Sequence, residues 1–248
     1  MNIDLENKLK KEALRVFPEE ACGLVFDDDS FFPIPNVAER KEEAFAFCPL
    51  TYVEVLLRNK HKRVRAIWHS HTKAYKTFDL RTPSKADIAL FEREKIPLLI
   101  SGYDGQHYLE AVEFPKKLNL VEPYYGRPYI AGIYDCGTLA RDFFYRELGL
   151  LLWYEFSGDW LEPKSWPLAV ETFLIKNGFK KKESLYPMLP NDIILVNFAG
   201  MKDAHGVIYL PNDFVLDQRQ TSCLVAVEDI RERITSSWRL DLEDGKCA

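Results

Sequence analysis

Leucines and a valine recur at helical spacing among the charged residues of positions 1–17, which predicts an amphipathic helix. Two short apolar runs follow, residues 22–26 and 31–37, and read as strands joined by the acidic turn Asp27-Asp28-Asp29-Ser30. Residues 42–47 suggest a third strand. Residues 49–60 suggest a helix opened by Pro49, with the basic cluster Lys60-His61-Lys62-Arg63 complementing the dipole at its C-terminal end. The run VRAIWH, residues 64–69, is apolar enough for a buried strand, and helical periodicity returns from Ser84 to Lys95. Residues 96–102 and 106–114 then form a hairpin about Tyr103-Asp104-Gly105.

The stretch 115–123 breaks this pattern. It is polar, bracketed by prolines and without periodicity, so it reads as a linker between domains at 1–114 and 124–248. Beyond it, residues 139–149 (LARDFFYRELG) are strongly helical and end at Gly149, and residues 169–177 form a second amphipathic helix before Gly178. Apolar runs at 191–196, 204–210 and 214–218 read as strands, with His205 near the start of the second. The aromatic segment 150–190, with Trp153, Trp160 and Trp166, suggests core, interface or a groove for a glycopeptide. Both halves mix helices with short strands, and the predicted class is α+β in two domains.

Composition narrows the partners. With 29% charged and 47% hydrophobic residues and a net charge of −5, the chain offers no basis for binding nucleic acid or an anionic membrane. No apolar run is long enough to cross a bilayer, and the N-terminus lacks the apolar region of a signal peptide, so no membrane insertion is expected. Five cysteines at irregular spacing (Cys22, Cys48, Cys136, Cys223, Cys247) do not form a disulfide framework and fit synthesis in a reducing compartment.

The first half concentrates metal-ligand chemistry. His69 and His71, two apart at the end of an extended run, point to one side of the chain. Asp87 falls in the first turn of the helix opened by Ser84 and supplies a carboxylate, although Ser84-x-x-Asp87 is also the spacing of an ordinary capping box. Two imidazoles and one carboxylate would leave an open position on a tetrahedral zinc, the catalytic arrangement and not the structural one. Glu20, at the mouth of the apolar strand that begins near Cys22, is placed to act as a general base. His107, with no second ligand at a useful spacing, reads as a surface histidine.

Glu20, His69-Ser70-His71 and Ser84-x-x-Asp87 together resemble the JAMM (MPN+) metalloprotease motif over about residues 1–113. The resemblance implies an MPN-like α/β sandwich, zinc held by His69, His71 and Asp87, Glu20 as general base, and Ser84 positioning water or an oxyanion. Two features depart from the family pattern. Twelve residues separate His71 from Ser84, with residues 73–81 as a longer loop, and Thr72 stands where the family commonly has proline.

The second half holds a different chemistry. Cys136 falls at or near a helix start, where the helix dipole favours a thiolate. His205 on one strand and Asp217 on the next complete a papain-like order of nucleophile, base and orienting group. Asp135-Cys136-x-x-Leu139 after Gly126-x-Pro128-Tyr129, with the His205 strand, resembles the NlpC/P60 cysteine peptidases over about residues 124–248. That resemblance implies bacterial cell-wall peptides as substrate, Cys136 as nucleophile, His205 as base, and supporting roles for Tyr129 and Asp135. Asp217 stands where the family most often has a second histidine.

The order of the two motifs in one chain resembles the K-type tail tip assembly proteins of lambda-like tailed phages. The resemblance implies other phage tail tip proteins and host peptidoglycan peptides as partners. It also implies a location in the host cytoplasm during assembly and at the virion tail tip. Two classes of function stay open: a cysteine endopeptidase with a zinc site, and an assembly factor with one or both sites idle.

Overall fold

A computed structural model describes residues 2–73, 78–118 and 123–240, with the exception of the side chain of Asp159. The chain divides into two compact units, Met1–Lys117 and Leu118–Ala248, and both mix helices with a β-sheet. Four residues of the expected linker, 119–122, four of the expected loop after His71, 74–77, and Cys247 lie outside the described residues.

In the first unit, helix α1 (Ile3–Val16) is capped by the Asn2 side chain and buries Leu5, Leu9 and Ala13, three positions on one helical face. That face rests on Ala21, Val25, Ala66, Trp68 and Leu99 of the sheet. The strands are β1 (Cys22–Phe26), β2 (Phe31–Ile34), β3 (Val64–His71), β4 (Leu98–Tyr103) and β5 (Tyr108–Phe114), in the order β2-β1-β3-β4-β5. Helix α2 (Pro49–Arg58) precedes β3, and α3 (Lys85–Glu94) makes the crossover between the parallel strands β3 and β4. The crossover brings the C-terminal end of β3 and the N-terminal end of α3 to the same edge of the sheet, where α/β sheets place their sites.

Two expected strands differ from what forms. Of residues 31–37 only Phe31–Ile34 is strand, and residues 42–47 hold just the isolated bridge Asn36–Phe47. The Asn36 amide takes over the task of a ladder there. It donates to the carbonyls of Glu20 and Ala44 and accepts from the amides of Ala38 and Ala46. A buried side chain that satisfies four backbone groups replaces strand pairing, which periodicity does not reveal.

In the second unit, α4 (Cys136–Leu148) ends at Gly149, whose φ of 71° suits glycine, and α5 (Trp166–Lys176) follows two short 3-10 turns. The strands are β6 (Phe179–Lys181), β7 (Ile193–Phe198), β8 (Met201–Leu210), β9 (Phe214–Asp217), β10 (Cys223–Ala226) and β11 (Ile234–Leu240), with the one-turn helix α6 (Val227–Ile230) between the last two. They form one sheet in the order β10-β9-β8-β7-β11-β6. Leu139, Ala140, Phe143 and Phe144 of α4 and Val170, Phe173 and Leu174 of α5 close the core over this sheet. His205 lies within β8, which begins four residues earlier at Met201, rather than at the strand's start. Asp217 is the last residue of β9.

Candidate metal and cysteine centres

Strand alternation sends Trp68 toward α1 and turns His69 and His71 to the opposite face, as their spacing requires. Register fixes their height. Cys22 pairs with His69 across β1 and β3, and Ser70 is bonded twice to Ala21, donating from its amide and accepting at Oγ from the Ala21 amide. Glu20, one residue before this junction, is thereby held at the same strand end. On the other side, Ser84 caps α3: its Oγ accepts from the Asp87 amide, and its own amide donates to Asp87 Oδ2 at 2.7 Å. The capping box and the ligand reading of Asp87 are therefore compatible, because the cap uses Oδ2 alone and Asp87 Oδ1 remains outside it.

The three side chains meet. His69 Nε2 lies 3.1 Å from Asp87 Oδ1 and 2.9 Å from His71 Nε2, and His71 Nε2 lies 3.2 Å from Asp87 Oδ2. All three are buried. His71 Nδ1 sits 2.6 Å from the Leu80 carbonyl, to which it can only donate, so in a neutral ring the Nε2 carries a lone pair. His69 Nδ1 is buried without a partner; with the His69 proton there, lone pairs of two imidazoles and a carboxylate converge, a donor set that fits a metal ion. Without an ion the same crowding favours an extra proton. Burial works against a charged His71 imidazole, yet Asp87 and Glu20 raise its pKa to about 9. Burial likewise opposes the Asp87 carboxylate, but the two histidines hold it well below the usual range.

Glu20, Ser84, His71 and Asp87 line one cavity of about 1130 Å³, walled by Phe45, Phe47 and Leu90. Burial raises the Glu20 pKa against the opposing pull of His71 and His69, the direction that helps a carboxylate take up a proton. Three further contributors left no mark in the sequence. Phe45 stacks on the His69 ring at 4.6 Å, Leu80 orients His71 through its backbone, and the buried Thr82 hydroxyl lines the cavity without a partner.

In the second unit Asp135 caps α4 and so puts Cys136 at its first position. Asp135 Oδ1 accepts from the Thr138 amide, and Oδ2 accepts from the Gly132 amide and from the Tyr154 hydroxyl. The Tyr154 ring lies so close to Gly137 that a Cβ there would come within 2.3 Å of it. Tyr154 and Tyr129 are both half-buried, with their phenols pushed well above the usual value, desolvation first and the neighbouring Asp135 and Cys136 adding to it. His205 Nε2 is 2.8 Å from Asp217 Oδ1, and β8 and β9 are neighbouring antiparallel strands. With Nε2 engaged, Nδ1 is the nitrogen left to face Cys136. Burial disfavours a charged His205, but hydrogen bonds to Asp217 and Cys136 and their charges outweigh it and raise the pKa to about 9. Phe198 flanks the imidazole at 5.6 Å and stacks on Trp166, which gives part of the aromatic segment a role beside His205.

The structure thus brings His69, His71 and Asp87 together with Glu20 and Ser84, and brings Cys136 together with His205 and Asp217. His107, expected at the surface, is exposed. No helix among the described residues is long and apolar enough to cross a membrane.

Residues 3–113 match the family model of prokaryotic homologs of the JAB domain. Over 205 residues, 81% of this chain and 78% of the relative, the chain is 25% identical to tail tip assembly protein K of Escherichia phage N15. The solution structure of a protein from Desulfitobacterium hafniense aligns over 44% of this chain and 78% of its own, with a TM-score of 0.33 and 23% identity. The first unit is therefore JAB-like, within a chain similar over most of its length to a phage tail tip assembly protein.

Proposed function

We propose that the protein is a phage tail tip assembly protein whose second unit is an NlpC/P60-type cysteine endopeptidase acting on host peptidoglycan stem peptides, and whose JAB-like first unit holds zinc. The observation that carries the peptidase reading is the alignment of Cys136 on α4, His205 on β8 and Asp217 on β9. In this reading His205 Nδ1 takes the Cys136 thiol proton, and the thiolate attacks the carbonyl carbon of the scissile bond. The imidazolium then passes that proton to the leaving amine as the C–N bond breaks, leaving a thioester. Water, deprotonated by His205, hydrolyses the thioester and returns the thiol. Asp217 stays ionised throughout and holds the ring.

In the first unit His69, His71 and Asp87 are the residues that would hold zinc, which would act there as a Lewis acid. Glu20 accepts and returns a proton beside it, and Ser84 fixes Asp87 through the capping box. The similarity to tail tip assembly protein K supports a place among tail tip proteins, in the host cytoplasm during assembly and at the virion tail tip.

The test is digestion of purified muropeptides by the full chain. Wild type is expected to cleave the stem peptide, while Cys136→Ala and His205→Gln lose at least about a thousandfold in rate. Equal cleavage by Cys136→Ala would remove the peptidase assignment. The relative's name, which speaks of assembly alone, favours a second reading in which the centres are idle, and a wild type with no cleavage would leave that reading standing.

A further inference from the structure

Asp217 has two oxygens and each has a partner. Oδ1 faces His205 Nε2 at 2.8 Å, and Oδ2 accepts from Arg219 Nε at 2.5 Å. The carboxylate is 2% exposed and the guanidinium 25% exposed, so the pair is closed on the histidine side and reaches toward solvent on the other. A buried carboxylate with one partner keeps the freedom to swing its second oxygen, whereas one gripped at both oxygens has a single orientation.

The segment that carries Arg219 is also tied to the approach to the nucleophile. Gln218 Nε2 donates to the Arg127 carbonyl, the Tyr129 amide donates to the Gln220 carbonyl, and Arg127 and Ser222 are bonded through both of their backbone amides. From Tyr129 the chain runs through the buried Ile130 to the Asp135 cap and Cys136. One turn after β9 therefore holds the orienting group and anchors the strand of chain that delivers the thiol.

We propose that Arg219 is a positioning residue of the cysteine centre: by gripping Asp217 Oδ2 it fixes Oδ1 on His205 Nε2 and so presents Nδ1 to Cys136. This inference rests on the peptidase reading of the centre. The groups that act on the pair are His205 from β8, Cys136 from α4 and Arg219 itself. Burial would raise the Asp217 pKa, and His205 and Arg219 together hold it below the ordinary value. Removal of the guanidinium takes away one of these two opposing forces. Asp217 then protonates at a higher pH and releases the imidazole over a range in which the wild type still holds it.

The experiment uses the full chain with Arg219→Gln, Arg219→Lys, Asp217→Asn and the Arg219→Gln, Asp217→Asn double variant. One readout is the pH profile of Cys136 alkylation by iodoacetamide, followed on the Cys136 peptide by mass spectrometry, which requires no turnover. The other is kcat and KM on muropeptides. Arg219→Gln is expected to move the acid limb of both profiles to higher pH and to lower kcat about tenfold with KM little changed, the scale of one charge-assisted hydrogen bond. Arg219→Lys is expected to restore most of the loss. On the Asp217→Asn background Arg219→Gln should add less than about twofold, because its partner is already gone. Unmoved acid limbs, or a full tenfold loss on that background, would overturn the proposal. If wild type cleaves nothing, the peptidase reading fails, and the alkylation profiles alone still decide the role of Arg219. If Arg219→Gln melts early, Arg219→Lys and the Asp217→Asn comparison carry the decision.

Discussion

His205 and Asp87 each show how a side chain readable from spacing acquires its chemistry from neighbours that spacing does not reveal. The types and positions of His69, His71, Asp87, Cys136, His205 and Asp217 were legible in the sequence, because histidines two apart on a strand and a cysteine at a helix start are local patterns. Phe45 on the His69 ring, Leu80 on His71, Tyr154 on Asp135 and Arg219 on Asp217 were not, since three of these four contacts join residues more than eight positions apart and none follows a period. Arg219, two residues after Asp217, is the one a local reading had a chance to find. The His205 environment also has a consequence for stability. Its folded pKa of about 9 lies above the ordinary 6.5, so the pair's stabilisation is complete below pH 6.5 and is lost as pH rises through 9. The decline in Tm from pH 6.5 to 9 should be shallower in His205→Gln than in wild type, and parallel declines would show that the His205 pair makes no such contribution.

At the scale of elements, amphipathic α1, the strand ending in His71 and the helix opened by Ser84 follow from the chain's own periodicity and caps. The strands that escaped notice were β6, β10 and β11, and the last is the instructive one. β11 enters the sheet between β7 and β6, so its pairing is set by residues some forty positions away. Its sequence, ITSSWRL, buries Ser236 and Ser237 in place of the apolar side chains that mark a strand. The start of α4 was legible from Asp135, Cys136 and Leu139, but the need for Gly137 was not. A Cβ at Gly137 would meet Tyr154 Cε2 at 2.3 Å and Cδ2 at 2.7 Å, and Tyr154 is the side chain that holds the cap of the helix. Gly137→Ala should therefore destabilise the second unit by about 1–3 kcal/mol, the usual scale of overpacking, although alanine is the better helix former. Chemical denaturation checks this. A stability equal to or above wild type would mean that Tyr154 yields without cost.

For the whole molecule, the division into Met1–Lys117 and Leu118–Ala248 gives one chain two centres, and each is built wholly from residues of its own unit. The α+β class was readable from the alternation of periods. The order of strands in each sheet was not, because β3 and β4 pair across a helix and β11 crosses over to reach β7. The zinc proposed for the first unit and the thiol nucleophile proposed for the second should not depend on each other. The most direct measurement is the zinc content of the purified full chain by elemental analysis, for wild type, His69→Ala and Cys136→Ala. About one zinc per chain is expected in wild type and in Cys136→Ala, and none in His69→Ala. A wild type without zinc, or a His69→Ala protein that retains it, would contradict the proposed metal centre.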